Sequence, residues 1–210
     1  MTNLLIVGAH GHGKVVLECA LSTGKYTKIS FMSNEVETGG IDGYELLDQN
    51  ITSFEYIREN FDEVIVAVGL NNSARLNLSN KLEAEGIKLA TIIHKTAIVS
   101  QFSEIGDGTV VSANAIINPF TKVGKACIIG TAAVVGHDCR ISDGVHLSPN
   151  ATVAGSVHIG KHSWMCMGCN VIHEMKIGEN SIVAAGATVI NDVPDNVLVA
   201  GVPATVKKSI

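Results

Sequence analysis

The hydrophobic pattern of the chain changes near residue 93. Before that point, apolar runs of strand length alternate with segments of helical spacing. The predicted strands span residues 4–8, 29–32, 64–69 and 88–93, and the predicted helices span residues 12–21 and 72–85. The run at 64–69 is apolar almost throughout, as strands buried on both faces are. Strands that alternate with helices predict a parallel sheet, so we expect a Rossmann-like α/β domain over residues 1–92.

From residue 93 onward, every sixth residue is aliphatic or methionine. Seventeen consecutive positions follow this rule, namely Ile93, Val99, Ile105, Val111, Ile117, Val123, Ile129, Val135, Ile141, Leu147, Val153, Ile159, Met165, Val171, Ile177, Val183 and Val189. A period of six fits neither an α-helix nor a plain alternating strand. It is the short repeat of a β-helix, in which each hexapeptide supplies one flat strand with its aliphatic residue pointing inward. Three such strands close one triangular coil of eighteen residues.

Two other columns accompany the aliphatic one. The residue two places before each aliphatic is mostly small, as at Thr109, Thr121 and Ala133, which suits a tight interior corner. The residue just after it is often glycine, as at Gly106 and Gly136, where the turning chain leaves little room for a Cβ atom. We therefore expect a β-helix of five to six coils over residues 93–193. Residues 194–210, which are interrupted by two prolines, are expected to form an extended tail that caps the last coil.

Charge and composition narrow the class of partner. Fifteen basic and twenty acidic residues give a formal charge of −5, and the basic residues are scattered, so we expect no nucleic-acid partner. No apolar run reaches the eighteen residues of a membrane span, and the apolar run at 4–7 is too short for a signal peptide. Five cysteines without framework spacing fit reduced thiols, so we expect a cytoplasmic protein.

His137 and Asp138 are the first candidate for chemistry. His137 lies two places after the inward Val135, so its ring can project outward from a corner of the coil. A histidine is suited to act as a general base near neutral pH, and a neighbouring carboxylate can hold its tautomer and stabilise the imidazolium. Gly155 lies eighteen residues later, directly above His137, where a bare backbone N–H could reach a developing oxyanion. A solvated pair on a turn is the alternative interpretation.

The head loop His10-Gly11-His12-Gly13 is the second candidate. It lies between the first predicted strand and the first predicted helix, where backbone N–H groups and the helix dipole favour an anion. The loop is not G-x-G-x-x-G, and Ser33 and Asn34 stand where an acidic residue would close the second strand of a dinucleotide-binding domain. These departures argue against a dinucleotide cofactor. A purely structural turn is the alternative.

Taken together, four features resemble the bacterial sugar O- and N-acyltransferases: GAHGHGK at 8–14, the hexapeptide repeat, GHDC at 136–139 and AGVPA at 200–204. The resemblance covers essentially the whole chain. Members of that family acetylate 4-amino sugars linked to UDP or GDP, in the bacillosamine and perosamine pathways, or sialic acid. The resemblance implies left-handed coils, a homotrimer, and acetyl-CoA as co-substrate without a metal.

The resemblance also implies roles for individual residues. His137 would be the base and Asp138 would raise its basicity, while His146, Gly155 and Met167 would contact acetyl-CoA. The nucleotide sugar would bind at His10, Gly11, His12, Ser33, Asn34 and Gly69. We expect it to dock on the amino-terminal domain and extend its amino group to His137. The acceptor would be a nucleotide-linked 4-amino-4,6-dideoxy sugar used in surface glycan synthesis, and the choice among UDP, GDP and CMP stays open.

Three other functions compete with this one. O-acetylation of sialic acid or another sugar hydroxyl would use the same base, so only the amino-terminal domain can select the acceptor. A zinc enzyme of the γ-carbonic anhydrase kind would need a third histidine five residues after His173, where Gly178 stands. A zinc cluster of His158, His162, Cys166 and Cys169 is not expected, because the coil spreads these side chains over different faces. A non-catalytic trimeric scaffold would leave the His137–Asp138 pair and the head loop without a role.

Overall fold

The computed structural model of the protein describes residues 2–35 and 41–210. Its amino-terminal domain is a four-stranded parallel sheet of order β3-β2-β1-β4. The strands are β1 (Thr2–Val7), β2 (Tyr26–Ser33), β3 (Glu45–Asp48) and β4 (Glu63–Val66), and the helices are α1 (Gly11–Thr23), α2 (Phe54–Asn60) and α3 (Asn72–Ala84). This arrangement confirms the predicted Rossmann-like class. No helix in the described ranges has both the length and the apolar character needed to cross a membrane.

Both faces of this sheet are buried. Leu4 and Ile6 of β1 pack on the side covered by α1, and Leu5 and Val7 pack on the side covered by α2 and α3. The sequence pattern did not predict β3 or α2. The edge strand β3 is only partly buried, and in the seven-residue α2 only Ile57 is buried, so neither leaves a recognisable hydrophobic period.

The segment 88–93, predicted as one strand, is divided between the two domains. Leu89 forms a parallel bridge with Val64 at the edge of the amino-terminal sheet. Strand β5 (Ile92–Ile93) pairs instead with the first coil of the β-helix. The polypeptide therefore passes from one sheet to the other within a few residues, which brings the two domains into contact.

The rest of the chain forms a parallel β-helix with three flat faces. On the first face, β5 is followed by β8 (Val110–Val111), β11 (Ile128–Ile129), β14 (His146–Leu147), β17 (Trp164–Met165) and β20 (Ile182–Val183). The second face holds β6 (Ile98–Val99), β9 (Ile116–Ile117), β12 (Val134–Val135), β15 (Thr152–Val153), β18 (Asn170–Val171) and β21 (Thr188–Val189). The third face holds β7 (Glu104–Ile105), β10 (Lys122–Val123), β13 (Arg140–Ile141), β16 (His158–Ile159) and β19 (Lys176–Ile177). Neighbouring strands pair with an offset of eighteen residues, as the hexapeptide period predicts.

The predicted aliphatic column fills the interior. Its members from Val111 to Val189 are buried, whereas Ile93, Val99 and Ile105 in the first coil are partly buried. The small residues two places before each aliphatic residue also form hydrogen bonds between coils. The Thr121 hydroxyl donates to the Gly136 carbonyl at 2.6 Å and accepts the Cys139 N–H at 3.0 Å, so it joins adjacent coils.

The glycines after the aliphatic residues are required by close packing. A Cβ atom on Gly106 would lie 2.6 Å from the Gly124 carbonyl, and one on Gly130 would lie 2.7 Å from the Leu147 carbonyl oxygen. Left-handed backbone occurs two places further on, at Asn114, Ala132 and Asp138 among others. The φ of 57° at Asp138 is therefore a property of the repeating turn and not a strain peculiar to this residue.

The carboxyl-terminal boundary lies later than predicted. Val193 pairs with Ile177 and β22 (Val197–Ala200) pairs with β20, both with an offset of sixteen residues. The coil thus loses two residues after Val189, so counting by six ends the β-helix too early. Strand β23 (Thr205–Ser209) then folds back antiparallel on β22, which makes the predicted extended tail a strand pair.

The amino-terminal domain covers the first face of the β-helix. Ile92 and Val110 of that face belong to the same apolar cluster as Val16 of α1. Helix α3 docks on the corner between the third and first faces, where Asn72 donates to the His162 carbonyl at 2.9 Å. The two domains therefore share a packed interface along one side of the prism.

Interior and exterior isoleucines of the β-helix should differ sharply in their effect on stability. Ile129 is fully buried, so Ile129→Ala should lower the free energy of unfolding by about 2–5 kcal/mol. Ile98 is 65% exposed, and Ile98→Ala should change it by no more than about 0.5 kcal/mol. Urea denaturation followed by circular dichroism measures both values. Equal effects of the two variants would contradict the inward orientation of the sixth-position column.

Candidate active site

A pocket of about 620 Å³ opens between the two domains. All six residues predicted to bind the nucleotide sugar line it, together with one residue predicted to bind acetyl-CoA: His10, Gly11, His12, Ser33, Asn34, Gly69 and His146. Gln49, just after β3, also lines the pocket and was missed because that strand was not predicted. Five of the six come from the carboxyl ends of β1 and β2 and the start of α1, and Gly69 follows β4. His146 comes from the outer side of β14.

The head loop presents the start of a helix to this pocket. Helix α1 begins at Gly11, and no hydrogen bond from the His10 side chain caps it. A Cβ atom on Gly13 would clash with the Gly8 carbonyl oxygen, and Gly8 itself has a φ of 115°. These glycines let the loop fold tightly against β1. Because the N–H groups of the first turn have no helical acceptor, the pocket wall is suited to bind an anion.

Two histidines in the pocket are held in the neutral form. Burial, followed by the charge of Arg75, lowers the pKa of His12 to about 4. The same two causes, in the same order, lower the pKa of His146 to about 3. Nε2 of His12 and Nδ1 of His146 are buried without a hydrogen-bond partner in the described part of the chain. Both rings can therefore offer a polar nitrogen to a ligand at neutral pH.

An acidic residue does stand near the end of β2, one place beyond the predicted positions. Nε2 of His10 lies 3.1 Å from Oε2 of Glu35, and both side chains are exposed. The Glu35 N–H donates to the Ser33 hydroxyl at 3.1 Å. Glu35 lies beyond the predicted end of this strand, at Ser33 and Asn34, so its carboxylate was not predicted.

His137 and Asp138 form a hydrogen-bonded pair at the surface. Nδ1 of His137 lies 2.7 Å from Oδ2 of Asp138, and the two side chains are 65% and 55% exposed. A proton on Nδ1 that is donated to the carboxylate leaves the Nε2 lone pair free to accept another. The pair therefore has the geometry of a general base with an orienting carboxylate.

Gly155, one coil along from His137, lies directly against the imidazole ring. A Cβ atom at this position would lie 2.5 Å from Nε2 of His137, so only glycine leaves the ring its observed place. Within the described residues, the Gly155 N–H donates to no backbone or side-chain acceptor. The predicted stacking of Gly155 with His137 is thus present, and its N–H has no protein acceptor among the described residues.

A single chain does not bring the two sets of residues together. His137 follows β12 of the second face and precedes β13 of the third face, so it lies at the corner opposite the first face. The pocket lies over the first face, at His146. Within one chain, the head loop and His137 therefore lie on different sides of the β-helix. Met167 is 61% exposed at a third place, the corner between the first and second faces.

The histidines and cysteines of the β-helix are dispersed. His158 is exposed on the third face, whereas Cys169 is buried in the interior. Burial raises the pKa of the Cys169 thiol to about 12, which keeps it protonated. In residues 2–35 and 41–210, no three histidine, cysteine or acidic side chains lie close enough to hold a metal ion.

Comparison with known sequences gives two matches. The family described as the PglD N-terminal domain matches residues 3–82. The UDP-N-acetylbacillosamine N-acetyltransferase of Bacillus subtilis (strain 168) is 40% identical over 114 residues. That alignment covers 52% of this chain and 51% of the relative, so the chain matches about half the length of this curated protein.

Comparison with solved structures extends the similarity over the whole chain. A mutant of perosamine N-acetyltransferase from Caulobacter crescentus, in complex with CoA and GDP-perosamine, is 33% identical with a TM-score of 0.93, covering 100% of this chain and 98% of that one. The acetyltransferase domain of PglB from Neisseria gonorrhoeae FA1090, in complex with acetyl coenzyme A, is 36% identical with a TM-score of 0.91, covering 98% and 99%. The predicted fold, an α/β domain followed by a left-handed parallel β-helix, is thereby confirmed. The chain belongs to the sugar N-acetyltransferase family of the hexapeptide-repeat superfamily.

Proposed function

We propose that the protein transfers the acetyl group of acetyl-CoA to the amino group of a nucleotide-linked 4-amino-4,6-dideoxy sugar, for surface glycan synthesis in the cytoplasm. The observation that carries this proposal is the exposed His137–Asp138 pair above Gly155. The similar proteins are named as N-acetyltransferases, which favours an amine over a hydroxyl as acceptor. One of them is in complex with CoA and GDP-perosamine.

The reaction needs one base and one oxyanion donor. The sugar nitrogen attacks the thioester carbonyl while Nε2 of His137 takes its proton, and a C–N bond forms. Asp138 holds the tautomer through Nδ1 and stabilises the imidazolium. The Gly155 N–H can donate to the oxyanion. Collapse of the intermediate breaks the C–S bond, and the CoA thiolate leaves and takes up a proton, which yields an amide and CoA.

The interdomain pocket is proposed to hold the nucleotide sugar. The start of α1 at Gly11 would bind the diphosphate, and the neutral His12 and His146 would offer hydrogen bonds that do not depend on pH near 7. The rest of the pocket wall is largely apolar, with Val7, Ala67 and Leu70 among its residues. Such a surface suits a deoxy sugar or a base.

We further propose that the active site forms between copies in a homotrimer. In one chain the pocket and His137 lie on opposite sides of the prism, so a pocket must be brought to His137 by another copy. The corner that carries His137 also carries Phe102 and Phe120, whose rings stack at 5.4 Å and are each 58% exposed. Exposed aromatic rings beside the base suit contact with a neighbouring subunit. In that arrangement Met167 of one copy could approach acetyl-CoA at Gly155 of another, while His146 stays with the nucleotide sugar in the pocket.

Removal of the base should abolish most turnover. His137→Ala should lower kcat at least about a hundredfold, because general-base catalysis contributes roughly that much. Release of CoA thiol, measured with acetyl-CoA and nucleotide-linked 4-amino sugars, gives the rate. His173→Ala is the matched control, since His173 is exposed on the same corner two coils further along. Near-native turnover of His137→Ala would rule out its role as base.

A methyl group under the ring should also impair the base. Gly155→Ala should displace the His137 imidazole and lower kcat by about ten- to a hundredfold, because misplaced catalytic groups cost that much. Gly168→Ala is the control, because its Cβ would meet open space and alanine already adopts the same left-handed turn at Ala132. Equal kcat values for the two variants would show that the ring position is not critical.

Mixed oligomers test the shared site. A chain with His137→Ala lacks the base, and a chain with Gly69→Leu has a side chain filling the pocket next to His12. If each site combines two chains, equal co-expression should restore about one quarter of the sites. Steady-state assays of the co-purified mixture, compared with each parent, measure the recovery. Activity no higher than the parents would place a complete site within one chain.

A further inference from the structure

Arg75 is a fully buried cation that pairs with no carboxylate in the described residues. Its side chain is 1% exposed, and its guanidinium donates to three backbone carbonyls. Burying an arginine among neutral acceptors has a large desolvation cost. The same loss of solvation lowers the pKa of Arg75 to about 10. Because no ion pair in the described part of the chain offsets this desolvation cost, packing alone does not account for an arginine at this position.

The three acceptors come from both domains, and one of them, Val68, lines the pocket. Nη1 donates to the Val68 carbonyl at 2.9 Å, on the segment that carries Gly69. Nη2 donates to the Gly144 carbonyl at 2.8 Å, two residues before His146, and Nε donates to the Ala126 carbonyl at 2.7 Å. A planar fork with fixed donors sets the separation of these groups more strictly than a flexible ammonium could. Arg75 therefore fixes the distance between the Gly69 wall and the His146 wall.

The turn that carries Arg75 is itself held in place. Asn72, one turn earlier on the same side of α3, donates to the His162 carbonyl, and the Ser79 hydroxyl donates to the Arg75 carbonyl at 2.9 Å. The corner carbonyls of Ala126, Gly144 and His162 follow one another at the eighteen-residue coil spacing. Helix α3 thus donates hydrogen bonds from one face to three successive coils.

The charge of Arg75 acts on the pocket from behind its wall. None of the residues that line the described pocket is a lysine or an arginine. The guanidinium lowers the pKa of both His12 and His146, which shows that its field reaches both rings. A positive charge in a low-dielectric wall acts on a ligand more strongly than an exposed lysine does.

We propose that Arg75 is a positioning residue for the nucleotide sugar, which clamps the two walls of the pocket and supplies positive charge behind them for the diphosphate. This inference rests on the proposed function, since it assigns the pocket to the nucleotide sugar. The carbonyl acceptors leave the charge unneutralised, so the field of Arg75 is available to an anion in the pocket. Acetyl-CoA is assigned to Gly155 and Met167, and neither residue lines the pocket that Arg75 holds.

Substitution at Arg75 separates binding of the two substrates. Arg75→Met should raise the KM for the nucleotide sugar at least about tenfold, and the Kd for whichever of UDP and GDP binds the wild type by a similar factor. The KM for acetyl-CoA should stay within about twofold. Arg75→Lys keeps the charge without the fork, so it should recover part of the nucleotide affinity. Steady-state kinetics and isothermal titration calorimetry with UDP and GDP give these values.

The control distinguishes positioning from loss of stability. Leu82→Ala removes a buried side chain on the same helix, away from the pocket, and should lower the melting temperature while leaving both KM values unchanged. If Arg75→Met does not accumulate as folded protein, Arg75→Gln keeps donors without the charge and serves as the same test.

Three results would overturn the proposal: an unchanged KM for the nucleotide sugar in Arg75→Met, equal rises in both KM values, or the same nucleotide effect from Leu82→Ala. The proposed acetyl transfer would survive any of them if turnover still depends on His137. Loss of that dependence, in contrast, would remove the proposed function itself.

Discussion

The constant length of the coil is the constraint on which the rest of the structure depends. Each coil contains eighteen residues, so residues eighteen apart stack, as His137 does with Gly155. The inward aliphatic column makes this spacing rigid, because a shift of one residue would move apolar side chains from the interior to solvent. The imidazole of His137 is therefore positioned by the repeat itself and needs no dedicated loop. Only where the repeat loses two residues, after Val189, does the chain leave this register.

The second organising feature is the joint between the domains. The amino-terminal domain is placed on the first face by apolar contacts from α1 and by polar contacts from the buried turn of α3. Because Arg75 bonds to carbonyls in both domains, the joint also shapes the pocket between them. In the role proposed for Arg75, stability of the interface and affinity for the nucleotide sugar are coupled through one side chain.

The arrangement places two functions on opposite sides of one prism. The pocket over the first face has the features of an anion site, and the corner with His137 has those of a general base. Neither is sufficient for acetyl transfer alone. Association of copies could bring them together, because the pocket of one chain could then face the His137 corner of the next.

Much of this was predictable from the sequence, because short-range periodicity reports local structure directly. The β-helix, three of the four strands of the amino-terminal sheet (β1, β2 and β4), α1, α3, the His137–Asp138 pair and the stacked Gly155 all follow from spacing. The short α2 and the edge strand β3 leave too little pattern, so Gln49 was missed with them. Arg75 was not singled out from the sequence, since no local signal marks a guanidinium with two of its three carbonyl acceptors more than fifty residues away.

The sequence by itself determined which residues share a column and which side chains point inward, because the coil repeats with a fixed length. The tertiary structure alone decided which face the amino-terminal domain covers, and hence that His146 joins the head loop while His137 faces away from it. The physical reason is that the period fixes positions around and along one axis, whereas docking of a second domain depends on long-range contacts. The contacts of α1 and α3 with the β-helix follow no sequence repeat, so the sequence pattern does not predict them.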